Sequence, residues 1–212
     1  MLDRAYERAS EGQRIYQRAY AAGHQKNAFV HTRFGTIAYR RGNHDEALRA
    51  YEAALAIDTA EKGANHIDVG YGQLNIAETH VMLRQPERAL AVLESAERIL
   101  RPHLEGDAVL TAFLASVRGR ALLGQGRPRE AVPHLQAALS PLRAQGEGMA
   151  MERADVCWAL VKSLDGIGRG GAQEARQLAH EALVIYDSQG PSVHSPKNAV
   201  RQWLEKTGRH PR

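Results

Sequence analysis

The sequence predicts an all-α protein, a right-handed α-solenoid of about ten antiparallel helices, with four helix pairs and a lone helix at each end. Three observations carry this. Small residues recur along the chain at a constant spacing of 42. Helix stop and start signals fall midway through every copy of that spacing. Alanine is abundant and only 6% of residues are aromatic, a composition suited to helices in close contact and poor in the branched and aromatic residues of sheets.

The element order follows from the register. Residues 3–22 read as an orphan second helix, because stepping back 42 from Ala47 lands on Ala5. The first full copy, 27–62, contains "FGTIAYRRGNHDEALRAYEAAL", and the second, 66–104, contains "IAETHVMLRQPERALAVLESAE". The third, 107–146, contains "RGRALLGQGRPREAVPHLQAAL". Gly35, Ala77 and Gly119 stand 42 apart, and so do Ala47, Ala89 and Ala131. A large side chain follows at Tyr51, Leu93 and Leu135, then Ala54, Ala96 and Ala138. The fourth copy, 149–190, puts Val161 in the first small position, and its second half slips by two residues, to Ala175, Ala179 and Ala182. A closing helix spans 195–208, with Ser195 as N-cap, Pro196 in the first turn and Val200, Trp203 and Leu204 as its apolar face.

These spacings have a mechanical sense. Small residues let successive helices cross at the short end of the usual ~8–10 Å separation, and the large residue one turn along is expected to fill the space between pairs. The linking stretches "RGNHDEA", "RQPERA" and "GRPREA" combine a helix-ending glycine or polar residue with proline or acids at the next N-terminus.

The pattern resembles the tetratricopeptide repeat. Its signature maps in the first full copy onto His31, Phe34, Gly35, Ala38, Ala47, Tyr51 and Thr59, without the signature's Trp, second Tyr or closing Pro. A period of 42 rather than 34 resembles the kinesin-light-chain type, as does "HIDVGYGQLNIAETH" from His66. The last third also resembles repeat domains that trail bacterial Ser/Thr kinases. The resemblance implies a protein-binding scaffold whose first helices line a concave groove. Thr32, Arg33, Thr36, Tyr39 and Arg40 fall on that wall in the first pair, with Phe29 beside them, and Tyr71, Leu74, Asn75, Glu78 and Val81 in the second. Phe113, Ser116, Arg120 and Leu123 follow in the third, and Trp158, Lys162 and Asp165 in the fourth. Asn75 can both donate to and accept from a peptide backbone, and the arginines suit a carboxylate or phosphorylated ligand. Relatives that clamp chaperone C-termini resemble one another at five places that here hold Thr32, Thr36, Asn75, Phe113 and Val117; only Asn75 matches.

Catalytic and cofactor readings find little to stand on. "GIGRGG" spells G-x-G-x-x-G at Gly166, Gly168 and Gly171, but no strand precedes it, so it reads as a turn rather than a nucleotide cradle. The ten histidines lack paired metal-ligand spacing. Cys157 is the one cysteine and has no evident base nearby. No cofactor or metal is expected, nor enzyme activity.

The formal charge of +4 and pI near 9.4 rest on 28 cations, of which five are lysine and 23 arginine, scattered among acids. The start lacks a secretory pattern, so a cytoplasmic location is the expectation. The expected partner is another protein, held as a peptide or helix in the groove, in a signalling setting such as a bacterial kinase assembly. The alternative is an acidic filament or membrane surface met by Arg84, Arg88, Arg98, Arg127 and Arg129 on outer helices. Nucleic acid is disfavoured, because the inner positions vary without a repeat-by-repeat pattern. The end helices could pair two copies into a homo-oligomer.

Overall fold

The computed structural model describes residues 2–20, 24–169, 172–188 and 196–208. Among these are ten α-helices and no strand: α1 (Leu2–Ala19), α2 (Gln25–Arg40), α3 (His44–Lys62), α4 (Ile67–Met82), α5 (Pro86–Leu100), α6 (Ala108–Gly124), α7 (Pro128–Ala144), α8 (Ala150–Gly166), α9 (Gln173–Ser188) and α10 (Lys197–Gly208). Short 3₁₀ turns occupy Arg101–His103 and Gly146–Met149. The described residues form two compact units, one up to His103 and one from Leu104 onward. In the first, α1 packs on α2, α2 on α3, α3 on α4 and α4 on α5. In the second, α6 packs on α7, α7 on α8, α8 on α9 and α9 on α10.

The repeating small residues are buried. Ala47, Ala89, Ala131 and Ala175 are each 0% exposed, and Ala54, Ala96, Ala138 and Ala182 are 3% or less. A β-carbon added at Gly35 would lie 2.8 Å from Cε1 of Tyr51, and one at Gly119 would lie 2.7 Å from Cγ of Leu135. The large residue therefore seats on the glycine of its own pair, which corrects the expectation that it serves the space between pairs alone. Tyr51 serves both, since it shares a cluster with Ala38, Ala47 and Ile76 of α2, α3 and α4. Full burial of Leu93 and Leu135 stabilises by roughly 1.5–3 kcal/mol each.

The four linking turns repeat one hydrogen-bond pattern. After α2, the Asn43 N–H donates to the Ala38 carbonyl and the Gly42 N–H to Tyr39. The same pairs recur as Gln85 to His80 with Arg84 to Val81, Arg127 to Leu122 with Gly126 to Leu123, and Arg169 to Leu164 with Gly168 to Asp165. This closure needs a left-handed residue just past the helix end. That residue is Gly42, Arg84, Gly126 and Gly168, with φ of 83°, 57°, 72° and 79°, spaced 42 apart. The "GIGRGG" stretch is thus a helix-ending turn: Gly166 closes α8, Gly168 is the left-handed residue, and Gly171 lies outside the described residues.

Helix starts reuse the register as well. His24 and His66 stand 42 apart, and the Nδ1 of each accepts from the N–H two residues on, Lys26 at 3.1 Å and Asp68 at 3.2 Å. Asp107 caps α6 through the Leu110 N–H at 2.8 Å. The proposed Ser195 cap lies outside the described residues, and the Pro196 carbonyl takes the first bond of α10 from Val200 N–H at 3.1 Å. Val200 is fully buried while Trp203 and Leu204 are half-buried, and Arg176 and Asp187 of α9 bond to Thr207 and Arg201 of α10.

Candidate binding groove

In the first unit, α2 and α4 stand as two walls with α3 as the floor, enclosing an open groove of about 450 Å³. The α2 wall presents Lys26, Phe29, Thr32, Arg33 and Thr36, positions three and four apart that share one helix face. The α4 wall presents Asp68, Tyr71, Gly72 and Asn75. From α3 come Tyr51, Ala54, Leu55, Asp58 and Lys62.

Three zones differ in chemistry. At the N-terminal end of the walls, Lys62 Nζ donates to Asp58 Oδ1 at 2.7 Å and to Asp68 Oδ2 at 2.6 Å, tying α3 to α4. Desolvation works to lower the Lys62 pKa, but the bonds to the two carboxylates outweigh it and hold it above its ordinary value. In the middle, Phe29 and Tyr71 are 61% and 39% exposed and flank the Leu55 floor. Gly72 keeps that floor open, since a β-carbon there would sit 3.3 Å from Cδ1 of Leu55. Arg33 lies over the Phe29 ring at 5.0 Å. At the far end the Thr36 hydroxyl donates to the Thr32 carbonyl and accepts from Tyr51 OH at 3.2 Å, while burial pushes the Tyr51 phenol up to about 12. Asn75 carries both a donor and an acceptor into the groove.

The structure brings Thr32, Arg33, Thr36, Tyr71 and Asn75 together in this groove. Tyr39, Arg40 and Glu78 lie outside its lining. Tyr39 packs against the Tyr51 cluster, Arg40 is exposed in the last turn of α2, and Glu78 is half-buried on α4. Leu74 is 7% exposed and belongs to the core.

In the second unit, Arg120 and Leu123 are half-buried on α6 and Lys162 is exposed on α8. Trp158 departs from expectation: at 9% exposure it is core, its ring edge-on to Trp203 of α10 at 6.4 Å, with Lys162 Nζ 5.9 Å from its centroid. The closing helix covers the face that would otherwise have been wall. Ser116 is likewise buried, at 5% exposure.

Sequence reasoning did not identify the floor of the groove. One signal was present: Asp58 occupies the register position that holds Leu100 and Leu142 at 42-residue steps, both fully buried or nearly so. A carboxylate in a leucine position needs a cation, and Lys62 one turn on supplies it.

Other candidate chemistry resolves into structure. Among the described residues no group of three His, Cys, Asp or Glu is placed to hold a metal, and no helix is long and apolar enough to cross a membrane. Cys157 is fully buried, and burial pushes its thiol up to about 12, which suppresses the thiolate. Arg127, one of the outer cations, is engaged by Glu130 at 2.6 Å and Gln125 at 2.9 Å.

Residues 27–102 match the tetratricopeptide repeat family model. The fold of the chain is that of kinesin-light-chain-like repeat proteins. A Q17M variant of a Podosopora anserina protein with nearly identical TPR-like repeats, described as a kinesin light chain, superposes with a TM-score of 0.61 at 19% identity, covering 88% of this chain and 87% of that one. The same Podosopora anserina protein without the change gives 0.60 at 19% identity, covering 90% of each. BtubC (BKLC) from P. vanneervenii gives 0.59 at 20% identity, covering 92% of this chain and 78% of that one. A comparison with curated proteins finds no match. Tetratricopeptide repeats in general mediate protein–protein interaction, and scaffolds of this fold are typically non-catalytic.

Proposed function

We propose that this chain is a non-catalytic interaction module that holds an extended or helical segment of another protein in the α2–α3–α4 groove. The observation that carries the reading is the junction of two exposed aromatic side chains, Phe29 and Tyr71, with the amide of Asn75 and the cations Lys26 and Arg33 along one open channel. Exposed aromatics and arginine are the residue types that dominate binding energy at protein interfaces. The Asn75 amide meets the need of an extended backbone, which carries a donor and an acceptor at each residue. The groove takes a ligand side chain between Phe29 and Tyr71, and the Asp58–Lys62–Asp68 cluster sets the polarity of one end.

Affinity capture from the source cell tests this. A partner retained by the unaltered protein is expected to be lost on Tyr71→Ala with Asn75→Ala, and kept on Val184→Ala, which removes an exposed side chain of α9. Equal capture by all three forms overturns the groove as the binding surface.

A further inference from the structure

The α1 helix stands in the register of a second helix, and among the described residues no first helix of its own pair packs on it. Ala5, Ala9 and Gly12 fall 42 residues before Ala47, Tyr51 and Ala54. Those three are 0%, 5% and 3% exposed against their own pair. On α1 the same face is open: Ala5, Ala9 and Gly12 are half-buried, Tyr16 and Ile15 are 38% and 55% exposed, and a β-carbon at Gly12 would meet nothing within 4 Å. The adjacent face, roughly a quarter turn round the helix, is engaged, since Tyr6 packs on Phe34 at 5.4 Å and bonds Glu46 at 2.7 Å, and Gln13 bonds His31 at 3.1 Å.

What covers the open face is constrained by a size rule that the four internal pairs obey. Across each pair one register position is small and the other large: Gly35 with Tyr51, Ala77 with Leu93, and Gly119 with Leu135. In the fourth pair the sizes are exchanged, Val161 with Ala179, and both are fully buried. On α1 the second-helix position is Ala9, the small alternative. By the same rule its counterpart brings the large side chain, as the register sets Val161 against Ala179. The polar face of α10, with Asn198, Arg201 and Glu205 all exposed, lacks one.

A second α1 supplies it. Antiparallel helices that cross beside Gly12 place Tyr16 of each over Ala9 of the other, with the two Gly12 residues allowing close approach at the centre. This would be a large-on-small contact like that of Tyr51 on Gly35, made between chains from a different register position, and a self-complementary patch of this kind closes a two-fold dimer. We infer that the open face of α1 is a homodimer interface, in which Tyr16 of one copy seats on Ala9 of its partner beside Gly12. The inference does not depend on the groove, which lies on other faces of the unit.

Sedimentation equilibrium of the full chain across the micromolar range tests it. The unaltered protein is expected to dimerise, Tyr16→Ala to weaken self-association at least about tenfold, and Gly12→Arg to give monomer with unchanged helical content. Exchanging the two sizes, Ala9→Tyr with Tyr16→Ala, is expected to restore the dimer. Phe29→Ala, in the groove, leaves it intact. A monomer at every concentration overturns the inference and assigns the face to a helix of another protein or of another segment. A dimer insensitive to Gly12→Arg overturns it as well.

Discussion

Arg84 is the only described non-glycine residue with positive φ, at 57°. Its three register mates are glycines, and an L-side chain in that conformation costs about 1–2 kcal/mol, partly offset by the smaller backbone entropy loss of a non-glycine residue. Arg84→Gly is therefore expected to stabilise by roughly 0.5–1 kcal/mol, read as a rise in thermal midpoint, and Gly126→Ala to lower it. The size rule gives a second test at this scale. Gly119→Val drives a branched side chain toward Leu135 and is expected to cost about 1–3 kcal/mol. Leu135→Ala alone costs about 2–5 kcal/mol. The two together reproduce the sizes of the Val161–Ala179 pair, so their combined loss is expected to fall well short of the sum in denaturant unfolding. Full additivity would mean that the two positions do not fit one another.

At the scale of the helix, acid bears on how α1 is held. Desolvation lowers the pKa of His31, half-buried beneath Gln13 of α1, below its ordinary 6.5. The unfolded chain then binds the proton more readily, so the stability contributed is complete above about 6.5 and is lost as pH falls through the folded value. Unfolding midpoints followed from pH 7.5 to 5 are expected to decline more steeply for the unaltered protein than for His31→Gln. The cluster at the groove end makes another prediction. Lys62→Met leaves Asp58 at 9% exposure without its closest cation and costs about 2 kcal/mol, less than a fully buried pair because Lys62 keeps some water contact. Asp58→Leu added to it brings back the leucine found at 100 and 142 and is expected to recover most of that loss, measured by urea unfolding. The helices themselves were legible from the sequence, because burial of Ala47, Ala89 and Ala131 follows directly from their spacing. The turns between paired helices were legible as well, from the glycine or polar residue that ends each first helix. Two features were not. Asp58 drew no reading from the sequence, because its leucine register place gains meaning only once the floor of the groove has a shape, and Trp158 read as wall because its cover, Trp203, comes from a helix 45 residues further on. A register tells which side of a helix faces its own pair; it does not tell what a helix outside the register will lie across.

For the molecule as a whole, every packed helix pair joins near neighbours in sequence, so stability is local and graded, as in other repeat proteins. Hydrogen exchange is expected to be slow in helices that pack on a helix at each side, α3 and α8 among them, and fastest in α1 and α10, the two most sparsely packed helices. Uniform protection across all ten helices would instead indicate a single all-or-none unit. The edge-on contact of Trp158 with Trp203 has a practical outcome. These two are the chain's only tryptophans, so ultraviolet emission excited at their absorption band monitors the seam between α8 and α10 and little else. A melting curve recorded that way dates the detachment of α10, whereas an indole brought by a ligand into the groove of the first unit, which has no tryptophan of its own, would add a new emission to that background.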